Sequence, residues 1–239
     1  NGDKLEEFNT KRGQITLKHE PGTNWEYSVS VDVQGYLVEK LAGQSFGSVL
    51  EERIFDPLRM TDTDFHVPQE KVSRFAQVYG YDAEGKLEAG EGFPGANFLV
   101  DPVFESGGGG LVSTAMDYMR FSQMVLNGGE LDGVRILAPL TVDLMHRDQT
   151  PKTMNGSVLG ARGTSFGLDF AVVEDPVEAE SYSTGEFYWG GAAGTWFWID
   201  PVDNLVFVGM IQQFGSTLPN VLATSKLLLY QSILYPYGI

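Results

Sequence analysis

Three groups of residues in this 239-residue sequence have the type and setting to do chemistry: serines flanked by glycines, a tyrosine before a helical pattern, and a Trp-Gly-Gly run in a strand-like stretch. Gly43-Gln44-Ser45-Phe46-Gly47 matches the GxSxG nucleophile elbow, where a tight strand-to-helix turn exposes the serine hydroxyl. Here a helical pattern precedes Ser45, so the sequence predicts a helix N-cap in its place. Gly163-Thr164-Ser165-Phe166-Gly167 matches too, but it leads into a strand-like run, where an elbow needs a helix. The other common serine device, Ser-x-x-Lys, sets an amine one helical turn from the hydroxyl so that it can take the proton. The residues three before each lysine are Asn1, Phe8, Ile15, Leu37, Pro68, Ala83, Gln149 and Ala223, and none is a serine. This sequence therefore carries no such pair.

Tyr27 lies in Pro21-Gly22-Thr23-Asn24-Trp25-Glu26-Tyr27-Ser28. Its position alone also suits an ordinary half-buried tyrosine ahead of a helix. The glycines of Trp189-Gly190-Gly191 mark either a bulge or a strand edge that another backbone can approach closely. His19, His66 and His146 are far apart and form neither HExxH nor HxH, so no metal and no other cofactor is expected. The absence of cysteine removes disulfides, thiolate metal sites and cysteine catalysis. A net charge of −16 argues against a surface that tracks phosphates, and nucleic acid is not an expected partner. No run approaches the roughly 18 to 20 apolar residues of a membrane span.

Hydrophobic residues make up 42% of the sequence, enough for a packed core, and no repeat or linker divides it. Val29, Val33, Leu37 and Leu41 recur at helical spacing, predicting a helix over 29–41 with Ser28 as its N-cap and Asp32 in its first turn. Further helices are expected at 46–55, capped by Ser45, at 115–126, ended by Asn127-Gly128-Gly129, and at 139–146, opened by Pro139. Gly107 to Gly110 read as a mobile loop or hinge. Strands are expected at 165–173, 185–189, 195–200 and 205–213, the last two as antiparallel neighbours about the turn 200–204. A closing helix over 219–234 should pack on that sheet. Helices, then meandering strands, then a helix make an α+β arrangement.

The tyrosine segment and Gly35-Tyr36-Leu37-Val38-Glu39 resemble the tyrosine loop and following helix of class C β-lactamases and the family VIII carboxylesterases of the same fold. In the same order, Ile54-Phe55-Asp56-Pro57-Leu58-Arg59-Met60 resembles the family's PLGM segment. Gly108-Gly109-Gly110-Leu111-Val112-Ser113-Thr114 resembles its glycine-rich loop, and Trp189-Gly190-Gly191-Ala192-Ala193-Gly194 resembles the Trp-Gly-Gly form of its Lys-Thr-Gly strand.

The resemblance implies a β-lactamase/transpeptidase-like α+β domain, with an antiparallel sheet flanked by helices. Residues 1–239 would be the C-terminal portion of that one domain: 1–160 mostly helical, 161–239 strands and the closing helix. It makes Tyr27 the proton shuttle between the serine and the leaving group. Trp189, Gly190 and Gly191 become the substrate-binding edge, and the Ala192 amide becomes one oxyanion donor. The Ser-x-x-Lys would come from a companion segment upstream of Asn1. A phenol is a weak base at neutral pH, and that lysine would help it release its proton. Two departures favour an uncharged ester over a carboxylated lactam: Val29 stands where β-lactamases carry Asn, and Trp189 where they carry Lys. The expectation is a carboxylesterase-like serine hydrolase acting on a small ester or amide through an acyl-enzyme. The alternatives are a β-lactamase, DD-peptidase or D-aminopeptidase, and a non-catalytic binding homologue.

Overall fold

A computed structural model of the protein describes residues 4–90, 92, 97–154, 158–214 and 220–235. The helices of the first part are α1 (Leu5–Arg12), α2 (Ser30–Ala42), α3 (Phe46–Leu50) and α4 (Asp56–Leu58), followed by the small hairpin β1 (Tyr79–Tyr81) and β2 (Leu87–Ala89). Next come α5 (Ala115–Leu126), the short hairpin β3 (Glu130–Leu131) and β4 (Val134–Arg135), and α6 (Pro139–Met145). Five antiparallel strands follow: β5 (Thr164–Phe166), β6 (Ala171–Val173), β7 (Phe187–Gly190), β8 (Thr195–Asp200) and β9 (Leu205–Met210). They lie side by side in chain order. Helix α7 (Val221–Tyr230) closes the described chain.

Local chemistry accounts for most boundaries. The Ser45 side chain accepts from the Ser48 amide at 3.2 Å and caps α3, while Gly43 takes a left-handed conformation to end α2. The expected 46–55 helix continues through a π turn, Glu51–Phe55, into α4. The Thr114 hydroxyl oxygen caps α5, and Gly128 and Gly129, both at positive φ, end it. Two expectations change. Ser28 does not cap α2: Val29 holds the N-cap position and offers no side-chain acceptor. The run 165–173 is two strands, not one. Gly167 donates to the Phe170 carbonyl at 2.8 Å and Asp169 has positive φ, so the chain reverses between β5 and β6. Pro219, the expected first residue of the closing helix, lies outside the described residues; Asn220 caps α7 by accepting from the Ala223 amide.

The alternation of β-strands sorts the sheet's side chains onto two faces. Phe187, Phe197 and Ile199 join Phe55, Leu58, Met60, Met124, Val125 and Val142 in the core beneath α4, α5 and α6. Burying each large side chain there contributes roughly 1.5–3 kcal/mol. The residues between them, Glu186, Tyr188, Trp196, Trp198 and Asp200, meet α7 on the opposite face. Trp196 donates to the Ser225 hydroxyl at 3.2 Å, and Lys226 lies over the Tyr188 and Trp198 rings. The sheet is thus a middle layer between a helical layer and α7.

Candidate active site

The tyrosine loop is anchored on its N-terminal side. A turn closes through the Thr23 amide and the Glu20 carbonyl at 3.1 Å, and the Thr153 hydroxyl donates to the Gly22 carbonyl at 2.9 Å. Just ahead of α2, Tyr27 is 60% exposed. Its ring lies 6.1 Å from Trp25, nearly parallel, and 5.7 Å from Trp189 on β7. Folding therefore brings together Tyr27 and the Trp-Gly-Gly edge, 162 positions apart in the numbering. Among the described residues the Tyr27 hydroxyl has no hydrogen-bond partner, and no cation lies over its ring.

Strand β7 is paired unevenly. Phe187 and Tyr188 pair with β6, whereas Trp189 and Gly190 pair with β8 alone, so their other backbone edge is unpaired among the described residues. Beyond Gly190 the chain turns tightly. Gly191 donates to the Thr195 carbonyl at 2.7 Å and Gly194 to the Gly191 carbonyl at 3.0 Å. The Ala192 amide is left without a partner among the described residues, and Ala192 is exposed. An unspent amide at a turn beside an open strand edge can stabilise a developing oxyanion. Gly191 is sterically constrained: a Cβ there would collide with the Thr195 hydroxyl, whereas one on Gly190 would make only an ordinary contact.

The glycine-rich segment is pinned, which corrects its reading as a mobile hinge. Asp32, only 6% exposed, accepts from the Ser106 hydroxyl at 2.6 Å and the Gly108 amide at 3.2 Å. Gly110 donates to the Ser106 carbonyl at 2.9 Å, and the Gly47 amide donates to the Glu105 carboxylate at 2.7 Å. A Cβ on Gly107 would overlap the Val31 carbonyl of α2. The glycines let this segment press against the first turn of α2, directly after Tyr27.

Both GxSxG serines have structural tasks. Ser45 caps α3, and buried Ser165 donates to Glu174 at 2.7 Å. Tyr182 stacks on Tyr230, and Phe187 is core, stacked on His146, so neither lines the open edge. Burial lowers the His146 pKa. The other histidines face carboxylates, His19 toward Glu26 and His66 toward Asp64 and Asp101. A cavity of about 390 Å³ opens elsewhere, between α3 and the 61–75 segment. Its lining includes Asp62, which is paired with Lys71 and Arg74.

Sequence reasoning did not single out Trp25, Phe166 or Asp32. Trp25 had a signal, since residues i and i+2 of an extended segment share a side. Phe166 had none: its ring stands 5.2 Å from Trp25 and 5.4 Å from Trp189 only because β5 is brought round to the tyrosine loop. Asp32 reads as an ordinary acidic residue in a first helical turn, and only the fold buries it against the glycine-rich segment.

A helical layer and an antiparallel sheet meeting at a tyrosine loop and an open glycine edge define the β-lactamase/transpeptidase-like class of serine hydrolases. The chain belongs to the beta-lactamase family, whose model matches residues 2–231. It is 37% identical over 206 residues to an uncharacterized protein of Mycobacterium tuberculosis, covering 83% of this chain and 51% of that protein. Esterase EstB of Burkholderia gladioli is 30% identical over 210 residues, covering 81% of this chain and 51% of the esterase. Among solved structures, EstCE1, described as a hydrolase with promiscuous acyltransferase activity, superposes with a TM-score of 0.78 at 26% identity, covering 92% of this chain and 60% of that one. The chain thus spans about half the length of the curated relatives it matches.

Proposed function

We propose that this chain carries the proton-shuttling tyrosine and the oxyanion edge of a carboxylesterase-like serine hydrolase. The nucleophilic Ser-x-x-Lys is supplied by residues outside this sequence. The observation that carries the reading is Tyr27, exposed and with a hydroxyl unpartnered among the described residues, standing 5.7 Å ring to ring from Trp189 at the open Gly190–Ala192 edge. An exposed apolar stripe on α2, Val33, Leu37 and Leu41, adds support as a surface suited to a companion segment.

In this reading the serine oxygen bonds to the ester carbonyl carbon while its proton passes to the Tyr27 oxygen, held deprotonated by the incoming lysine. The carbonyl oxygen becomes an oxyanion that accepts from the Ala192 amide. As the carbon–alkoxy bond breaks, Tyr27 returns the proton to the departing alcohol, leaving an acyl-enzyme. Water then repeats the sequence and releases the acid. Trp189 presents an indole to the substrate, which favours an apolar, uncharged ester.

The test uses the product of the complete reading frame. A fluorophosphonate probe should label a serine outside these 239 residues, and labelling confined to them sinks the proposal. p-Nitrophenyl butyrate should be hydrolysed in preference to nitrocefin. Tyr27→Phe should lower kcat by about 10²- to 10⁴-fold.

A further inference from the structure

We propose that Trp25 is a positioning residue that sets the orientation of Tyr27, an inference that rests on the proton-shuttling role proposed for that tyrosine. Tyr27 is more than half exposed and its hydroxyl is unpartnered among the described residues, so hydrogen bonding does not fix its ring. Trp25 does. It is half-buried and touches three rings from three segments: Tyr27 at 6.1 Å and 14° between planes, Phe166 of β5 at 5.2 Å, and Trp189 of β7 at 6.5 Å. Phe166 and Trp189 pack on each other as well, at 5.4 Å, so the face against which Tyr27 leans is itself braced.

Alternation along the extended segment explains how one short loop achieves this. Glu26 points away from the two aromatics and binds Lys18 at 2.6 Å and faces His19 at 3.4 Å. The loop is therefore gripped on both sides, by ions on one and rings on the other. Aromatic contacts of this kind are strong enough to select one Tyr27 rotamer but too weak to hold the whole domain. A phenol that must take a proton from one oxygen and give it to another loses rate when displaced by about 1 Å, so orientation is where Trp25 acts.

Trp25→Leu keeps apolar bulk and removes the stacking face; Trp25→Phe restores a ring. In the complete gene product, Trp25→Leu should lower kcat for p-nitrophenyl butyrate about tenfold or more, with KM changed less than about twofold, and Trp25→Phe should recover most of the loss. In a Tyr27→Phe background Trp25→Leu should have no further effect, because it acts through the phenol. An undiminished tenfold loss in that background, or a change confined to KM, overturns the proposal. A second readout needs no turnover. In the complete gene product labelled with 3-fluorotyrosine, the Tyr27 fluorine resonance, assigned by its disappearance in Tyr27→Phe, should shift in Trp25→Leu and return toward its original position in Trp25→Phe. An unmoved resonance also overturns it. Absence of hydrolysis by the unsubstituted protein, with the resonance moving as described, would defeat the proposed function and leave the positioning role standing.

Discussion

The two ends of β7 carry polar groups under opposite conditions. Just before its first residue, on the face toward α7, Glu186 is fully buried. It pairs with Lys226 and accepts from the Ser181 hydroxyl at 3.1 Å. Asp200 beside it accepts from Tyr230 at 2.5 Å and Ser183 at 2.7 Å. Burial raises the Glu186 pKa, and Lys226 works against that shift. At the other end, on the opposite face, Trp189 meets Tyr27, Gly190 has an unpaired edge, and the Tyr27 hydroxyl and Ala192 amide have no partners among the described residues. At the sealed end both carboxyls are engaged because water cannot reach them and an unmatched charge there is costly, although the buried Trp198 indole N–H on the same face has no hydrogen-bond partner among the described residues. The open end can leave polar groups unspent because solvent serves them, and such groups are available to a substrate.

Removing the cation at the sealed end should have the largest effect on stability. Lys226→Met leaves two buried carboxyls facing each other and should cost about 3–5 kcal/mol in urea unfolding, with Glu186→Gln on top recovering part of the loss. A cost below about 1 kcal/mol would break the comparison. Asp32 sharpens it, being a sealed carboxylate that serves the open end. Asp32→Ala should cost roughly 1–3 kcal/mol by stranding the Ser106 hydroxyl and the Gly108 amide. It should also increase amide hydrogen exchange at 106–110, the segment pressed against α2, and unchanged exchange there would remove Asp32 from the wall of the site.

The smallest effect belongs to a partly exposed carboxylate between these extremes. Hydrogen bonds from Arg74 and Lys71 hold Asp62 at a pKa of about 2, below its ordinary 3.8. Because the folded value lies below the unfolded one, its contribution is complete above about pH 4 and is lost as pH falls toward 2. The difference in unfolding free energy between the unsubstituted protein and Asp62→Asn should therefore shrink across that window, and a flat difference would mean the triad is not formed in solution.

Much of this was legible without coordinates. The boundaries of α5 and β8 follow from caps, glycines and alternation, which act over a few residues. The cap at Ser45 is equally local, and it removes the serine from consideration as a nucleophile. The order of the landmarks, from the tyrosine loop to Trp-Gly-Gly, was enough to point to the family. The break between β5 and β6 was missed because its β-branched and aromatic run outweighs, in composition, the single reversal at Gly167 to Phe170.

The sequence by itself determined which groups are available for chemistry: a tyrosine outside a helix, glycines that open a strand edge, no cysteine and no Ser-x-x-Lys. Only the tertiary structure decided which of them meet. Tyr27, Phe166 and Trp189 become neighbours because β5 and β7 sit within two strands of each other in one sheet and the tyrosine loop is tied to the segment at Thr153 that leads into it. It likewise decided that Glu186 is sealed while Trp189, three residues on, is open. Strand alternation sends the two to opposite faces: α7 covers Glu186, whereas Trp189 sits half-buried at the far end of β7, where the rings of the tyrosine loop meet it.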